Sequence, residues 1–167
     1  MRQQTVIVDV NVAITANGRA AQASQACQLA CITRLRLIQA KQRVALDTLQ
    51  SILQEYRRHL SARGQPGVGD AFFKWLWSNA FNPEICTIVS ITPSNNGREF
   101  AEFPDDPDLA QFDRSDHKYV AVAIAHPDHP PIINAVDSDW VRYQAALATH
   151  HVTIENICNG QQFAADV

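Results

Sequence analysis

The chain lacks the features that mark several specialised classes of protein. Only six of its 167 residues are glycine and four are cysteine, and no apolar run approaches the roughly 20 residues that span a membrane. The first residues have no basic and apolar pattern of a secretory signal peptide. No internal repeat and no long linker divides the sequence. We therefore expect one domain over residues 1–167, with no membrane segment and a cytoplasmic location.

The chain also has little net charge, −3 from 14 basic and 17 acidic residues. A protein that relied on bulk attraction to nucleic acid would be basic, so this total argues against a strongly cationic binding surface. Acids that hold a metal ion would be neutralised by it, however, and the total then underestimates the field that a substrate meets. Net charge alone therefore does not decide whether the chain acts on nucleic acid; the positions of the acids do.

The four cysteines do not have the paired spacing of a zinc ribbon. Cys27 and Cys31 lie four residues apart on a predicted helix, while Cys86 and Cys158 stand singly in apolar runs. This pattern is typical of small buried hydrophobic residues in a reducing compartment. We expect four free thiols without a ligand role.

Hydrophobic periodicity predicts alternating strands and helices. Strands are predicted at residues 5–10, 43–46, 85–91, 131–136 and 152–157. Helices are predicted at residues 19–42, 47–62, 68–80, 114–125 and 139–149, the second with Asp47 and Gln50 as a capping box and Leu49 facing inward. Residues 92–112 have no regular pattern. This order predicts a single three-layer α/β domain with a mainly parallel sheet flanked by helices.

Four acids occupy comparable places in these elements. Asp9 and Asp137 end apolar strand-like runs, Asp116 opens a helix, and Glu55 lies inside another helix. In an open α/β sheet, sites form outside the carboxyl ends of the strands, so we expect these carboxylates to converge. Hard divalent cations prefer oxygen ligands, and the set therefore predicts a Mg²⁺ or Mn²⁺ site.

Each acid also has an ordinary structural interpretation. Asp116 alone is more often a helix cap than a ligand, although Asp113 is the better cap for the same helix. Glu55 alone is more often a solvated helix acid, paired here with Arg58 or His59. Asp139 could cap the helix that follows it. Asp9 and Asp137 are harder to explain this way, because an acid at the end of an apolar strand is uncommon without a role.

Four motifs occur in register along nearly the whole chain. They are residues 6–12 (Val-Ile-Val-Asp-Val-Asn-Val), residues 49–58 with an internal Glu before an aromatic and two basic residues, Asp116 followed by Ala123, and residues 136–140 (Val-Asp-Ser-Asp-Trp). In this order they resemble the motifs of the PIN-domain nucleases, a group that includes many bacterial ribonucleases and the toxins of toxin–antitoxin pairs.

The resemblance implies a metal-dependent endoribonuclease that hydrolyses RNA phosphodiester bonds. It implies that Mg²⁺ or Mn²⁺ is held by Asp9, Glu55, Asp116 and Asp137, with Asp139 as an additional ligand. Residues beside these motifs are candidates for substrate contacts: Asn11, Arg57, Arg58, Arg114 and Lys118. The implied partners are RNA, an antitoxin protein and a second copy of the chain, for which the aromatic residues of 68–80 could form a patch or simply belong to the core.

The chain departs from the family pattern at one position. The family usually has Thr or Ser two residues before the fourth acid, and this sequence has Ala135. The alternative is therefore a catalytically inactive PIN-like module that binds RNA or another protein. Other acid-dependent α/β enzymes fit less well, since a haloacid-dehalogenase-type phosphatase needs Asp at position 11 and a proofreading-type exonuclease needs Glu there, where this chain has Asn11.

Overall fold

The computed structural model describes residues 3–158, which form one five-stranded, wholly parallel sheet. The strands are β1 (Thr5–Val8), β2 (Arg43–Asp47), β3 (Cys86–Val89), β4 (Ile132–Asn134) and β5 (Ile154–Asn156). Their spatial order is β3-β2-β1-β4-β5. The predicted α/β class with a parallel sheet is confirmed. Residues 1–2 and 159–167 of the predicted domain lie outside the described residues.

Seven α-helices flank the sheet within the described part of the chain. They are α1 (Val10–Ala16), α2 (Gln25–Lys41), α3 (Ser51–His59), α4 (Val68–Ser78), α5 (His117–Ala125), α6 (Ser138–Arg142) and α7 (Gln144–Ala148). Helices α1, α2 and α4 pack against one another, whereas α5 packs across β1, β2 and β4. None of the helices in residues 3–158 is both long and apolar enough to cross a membrane.

The register of the two central strands brings the ends of β1 and β4 to the same edge of the sheet. Ile7 pairs with Ile132 and Val8 with Ile133, and the Asp9 N–H donates to the Ile133 carbonyl at 3.2 Å. All strands are parallel, so their carboxyl ends meet there. The segments that follow β1 and β4 therefore start side by side.

Strand β1 is shorter than predicted, because Asp9 starts a helix. The Asn11 N–H donates to Asp9 Oδ1 at 2.8 Å, which caps α1. The β-branched residues Val10 and Val12 had extended the predicted strand to residue 10, and α1 was missed altogether. A helix of seven residues is too short for its periodicity to outweigh that local β-propensity.

Helix α1 approaches α4 so closely that position 69 requires glycine. A Cβ on Gly69 would lie 2.0 Å from the carbonyl oxygen of Ala13. Asn17 secures the contact, since its Oδ1 accepts from the Gly69 N–H at 2.7 Å and its Nδ2 donates to Asp70 Oδ2 at 3.0 Å. These contacts with α4 fix the position of helix α1, which carries Asn11, relative to the edge of the sheet.

Several other predicted boundaries need correction. The helix predicted from residue 19 starts at Gln25, where Ser24 Oγ accepts from the Cys27 N–H at 3.0 Å. The helix predicted over 139–149 is two short helices, α6 and α7, that meet at Tyr143. Strand β4 ends at Asn134, three residues before Asp137.

The start of α3 shows how the predicted cap works. Asp47 accepts from the Ser51 N–H at 2.8 Å and the Ile52 N–H at 3.0 Å. Gln50 adopts a left-handed conformation, with φ of 60°, and makes no side-chain cap bond. The predicted capping box is therefore wrong: the helix starts at Ser51 with Gln50 at the N-cap position, and Asp47 accepts the first N–H groups of α3 from the end of β2. Leu49, predicted to face inward, is 46% exposed.

The expectation of four free thiols is wrong for two of them. Cys27 on α2 and Cys158 after β5 form a disulfide across a sequence separation of 131 residues. Cys31 and Cys86 are free and buried, and burial raises the pKa of each thiol to about 12. The pairing was hidden from the sequence because only the folded sheet brings Cys158 beside α2.

Candidate metal centre

Three of the four predicted acids converge at the carboxyl edge of the sheet. Asp9 follows β1, Asp116 precedes α5 and Asp137 follows β4. One carboxylate oxygen from each lies within 4.8 Å of the others. We call these three residues the acidic triad.

Asp9 is the most constrained member of the acidic triad. Besides the Asn11 N–H on Oδ1, the indole N–H of buried Trp140 donates to its Oδ2 at 2.7 Å. The pKa of Asp9 is raised to about 7, mainly by burial and also by the charges of Glu55 and Asp137, while these two hydrogen bonds oppose the rise. Each oxygen accepts one protein donor, which leaves lone pairs for a cation.

Asp116 is not used as a helix cap, because Asp113 fills that role. Asp113 Oδ1 accepts from the Ser115 N–H at 2.9 Å and so caps the 3₁₀ turn Arg114–Asp116, as the sequence predicted. Asp116 itself makes no cap bond. Burial raises its pKa to about 9, with further contributions from the charges of Asp9 and Asp137.

Asp137 is both a member of the acidic triad and a helix cap. Its Oδ1 accepts from the Asp139 N–H at 2.9 Å at the start of α6. Burial raises the pKa of Asp137, although that N–H and a hydrogen bond with Asp116 oppose the rise. Asp139 is therefore not the cap that the sequence suggested. Its carboxylate is 30% exposed and lies 3.8 Å from Arg142.

The carboxylates of the acidic triad are not paired with basic side chains in the part of the chain that the structure describes. Three carboxyl groups this close cannot all be ionised without mutual repulsion, which agrees with the raised pKa values. The site is compatible either with bound protons or with a bound cation.

Glu55 lies outside this triad and has a different partner set. Its Oε2 lies 2.9 Å from Lys118 Nζ, and the Tyr119 hydroxyl donates to its Oε1. Both Glu55 and Lys118 are buried, at 8% exposure each. The interpretation of Glu55 as a solvated acid paired with Arg58 or His59 is therefore wrong. The negative charge of Glu55 still affects the acidic triad, because it raises the pKa of Asp9 and of Asp116.

Asn11 connects the two strand ends through its side chain. Its Nδ2 donates to Asn134 Oδ1 at 3.0 Å, and its Oδ1 accepts from the Ala135 N–H at 2.8 Å. Asn134 in turn donates to Asn156 Oδ1 at 2.9 Å. These amides fix the turn that leads to Asp137, so Asn11 positions the acidic triad rather than facing solvent.

The four basic residues that were predicted to contact the substrate lie in different parts of the structure. Arg57 lies over the ring of Trp77, 6.0 Å from its centroid, and Lys118 is buried against Glu55. Arg58 and Arg114 both line an open groove beside the triad, where Arg114 Nε lies 2.8 Å from Glu99 Oε1. Only the groove pair offers exposed guanidinium groups next to the acids.

Sequence reasoning did not find the residues that hold the carboxylates in place. The Trp140 indole donates to the Asp9 carboxylate, the Tyr119 hydroxyl donates to the Glu55 carboxylate, and the Asn134 side-chain amide donates to the Asp137 carbonyl oxygen. Trp140 had appeared only as the aromatic of the fourth motif. The signal in the sequence was the residue type: Trp has an indole N–H that can donate to a carboxylate, whereas Phe would fill a similar space without a donor.

Comparisons of the chain with protein-family models, curated proteins and solved structures find no match. The resemblance to PIN-domain nucleases therefore stays a prediction from the four motifs.

Proposed function

We propose that this chain is a metal-dependent endoribonuclease that hydrolyses RNA phosphodiester bonds at the acidic triad. The observation that carries the proposal is the approach of Asp9, Asp116 and Asp137 oxygens to within 4.8 Å of one another at the carboxyl edge of a parallel sheet. In α/β folds this edge is where ligands bind.

The donor set fits Mg²⁺ or Mn²⁺. Every candidate ligand atom in the triad is a carboxylate oxygen, the type that hard divalent cations select. No Cys or His belongs to this group within residues 3–158. Asp139, one residue beyond the α6 start, supplies an additional carboxylate at its rim.

The protein side of the reaction is positioning. When bound, the ion would activate a water for attack on phosphorus and offset charge on the phosphate and the leaving oxygen. Trp140 and the Asn11 backbone hold Asp9 in one orientation. Lys118 neutralises Glu55, so that Glu55 adds less negative charge to a site that must receive a phosphodiester.

The PIN resemblance supports the same reaction and adds biological expectations. A toxin role, an antitoxin that fills the acidic site and a homodimer belong to the proposal on that ground. In α4, Phe72 and Phe73 are buried, while Trp77 is 42% exposed, so the aromatic surface open to a partner is small. A cytoplasmic location is also part of the proposal. The Cys27–Cys158 disulfide does not favour it, because disulfides are unusual in a reducing compartment.

The alternative function, an inactive RNA-binding or protein-interaction module, has one supporting observation. Ala135 is fully buried, and its methyl group stands where the resembled family usually has a hydroxyl. Metal binding separates the two proposals, because an inactive scaffold need not be stabilised by Mn²⁺ whereas ligand binding raises the melting temperature of a working site.

The test is cleavage of end-labelled single-stranded RNA by purified protein with Mn²⁺, Mg²⁺ or EDTA. Asp116→Asn should lose the metal-dependent activity. Asp113→Asn is the matched control, because this acid lies three residues earlier and caps the turn without joining the triad. Cutting that persists in Asp116→Asn or in EDTA would contradict the proposal. Absence of both cutting and a Mn²⁺-induced thermal shift would favour the inactive module.

A further inference from the structure

A polar groove of about 340 Å³ adjoins the acidic triad on its α3 side. Its walls include Ser51, Gln54, Arg58, Phe100, Arg114 and Lys118. The volume lies in the range of small-ligand sites. The groove mixes a guanidinium pair, hydroxyl and amide groups and one aromatic ring, which is an unusual combination for an incidental surface depression.

One wall is a single face of α3. Ser51, Gln54 and Arg58 are separated by three and four residues, the spacing that aligns side chains on one side of a helix. Within residues 3–158 their side chains make no hydrogen bond or ion pair to another residue. They are therefore available to a ligand.

The opposite wall comes from the irregular segment 92–112. Phe100 pairs with Pro93 in an isolated bridge, and the neighbouring Glu99 N–H donates to His117 Nδ1 at 3.3 Å. Glu99 also forms the 2.8 Å ion pair with Arg114. These contacts hold the half-buried Phe100 beside the start of α5, and so beside the acidic triad.

The groove and the triad share a boundary. Glu55 lies on α3 between Gln54 and Arg58, and its ion pair with Lys118 connects the two walls. Ser115 of the groove directly precedes Asp116. The groove therefore lies next to the acidic triad along the chain at Ser115 and Asp116.

The charges of the groove favour an anion. Glu55 offsets Lys118 and Glu99 offsets Arg114, which leaves Arg58 as the uncompensated charge. A guanidinium group binds phosphate oxygens in a bidentate manner. An aromatic side chain beside such a cation is the pattern by which proteins bind an unpaired nucleotide, since every base presents a face for stacking.

We propose that this groove is a subsite for one unpaired nucleotide of the substrate strand, with its phosphate at Arg58 and its base against Phe100. The inference rests on the proposed function, because it places the scissile phosphodiester at the neighbouring triad. It adds a selection rule to that function. Bases in a duplex are already stacked on each other, so the subsite accepts single strands and excludes helices.

The first experiment measures binding by fluorescence anisotropy with a labelled single strand of about ten nucleotides. RNA, DNA of the same sequence and the RNA duplex are compared in EDTA, so that the RNA stays intact, across a range of salt concentrations. Arg58→Gln should lower the slope of log affinity against log salt by about 0.7 for a single strand. Arg36→Gln is the matched control, since it removes an equal charge from an exposed position on α2 that does not line the groove, and it should leave the slope unchanged.

The second experiment tests the base. A strand of the same length without bases should bind the wild-type protein at least about fivefold more weakly, and Phe100→Leu should remove this difference. Leucine keeps the apolar contact with the core, and an unchanged melting temperature would verify that the variant folds. A preference for RNA over DNA would identify a contact to the 2′-hydroxyl, and equal binding would identify a subsite for any single strand; both support the subsite.

Equal affinity for duplex and single strand, or loss of affinity in Arg36→Gln equal to that in Arg58→Gln, would overturn the inference. Binding that depends on Arg58 and Phe100 in a protein that cleaves nothing would keep the subsite and reject the nuclease. Metal-dependent cleavage with no effect of either substitution would do the reverse.

Discussion

Binding of Mn²⁺ to the acidic triad should release protons near neutral pH. A carboxyl group must be deprotonated before it can bind a metal ion. Because the pKa is about 9 for Asp116 and about 7 for Asp9, and the pKa of Asp137 is raised as well, the metal-free triad still holds protons at pH 7. We therefore expect release of at least one proton per ion at pH 7 and about one at pH 8.

Isothermal titration calorimetry in buffers of different ionisation enthalpy measures this number directly. The same linkage predicts that the Mn²⁺ association constant rises by more than tenfold per pH unit just below neutrality, and by about tenfold per unit between pH 7.5 and pH 8.5. Release of no protons at pH 7 would refute the reasoning, because it would mean that the three carboxyls are already ionised and their pKa values are not raised.

The same pKa shifts fix the sign of the pH dependence of stability. Asp9 and Asp116 have folded-state values above the usual 3.8, so the native state binds protons that the unfolded state has lost. Their favourable contribution is complete below that usual value and disappears as the pH rises towards 7 for Asp9 and towards 9 for Asp116. Metal-free protein should therefore melt at a lower temperature as pH rises across this window, and Mn²⁺ should reverse the loss.

Three further predictions concern residues around the site and the disulfide. Trp140→Phe keeps the ring packing but removes the donor to Asp9, so calorimetry should show Mn²⁺ binding weakened about tenfold, with the pH midpoint of binding moved upward. Asp137→Asn should weaken Mn²⁺ binding far more than Asp139→Asn does, because only Asp137 lies in the triad. Cys158→Ser should lower the free energy of unfolding, measured in denaturant, by up to about 5 kcal/mol, as expected for opening a loop of this length.

Controls make each of these outcomes specific. Trp140→Phe must keep the wild-type melting temperature without metal, since a large loss would indicate disrupted packing rather than a missing donor. Equal effects of the two aspartate substitutions would contradict the assignment of ligands. Titration of the unreduced, denatured wild-type chain should find two reactive thiols, those of Cys31 and Cys86; four would show that the disulfide is absent.

The sheet and the triad could be predicted from the sequence for the same reason. Apolar runs followed by an acid mark the carboxyl end of a buried strand, and parallel strands bring all such ends to one edge. This is why Asp9 and Asp137, far apart in sequence, could be placed together. The capping preference that assigned Asp113 to the turn also left Asp116 available, as the structure has it.

The remaining features depend on contacts that a sequence pattern does not contain. Glu55 was placed with the ligands because its helix matches a motif, but its rotamer and its distance from the triad are set by buried Lys118 and Tyr119. The Cys27–Cys158 pairing requires knowledge of which helix covers β5. Helix α1 was missed because its seven residues include β-branched valines, and because Asp9, which accepts the capping hydrogen bond, was assigned only to metal binding.

The most direct test of the central claim is the anomalous scattering of Mn²⁺ in a crystal of the protein grown at about pH 8, where metal binding has to displace about one proton. The account predicts a peak between Asp9, Asp116 and Asp137, at direct coordination distance of roughly 2.0–2.6 Å from an oxygen of each. It also predicts that Trp140 still donates to Asp9 in that state. A peak elsewhere, or no peak at saturating Mn²⁺, would contradict the claim that these three carboxylates form a metal centre.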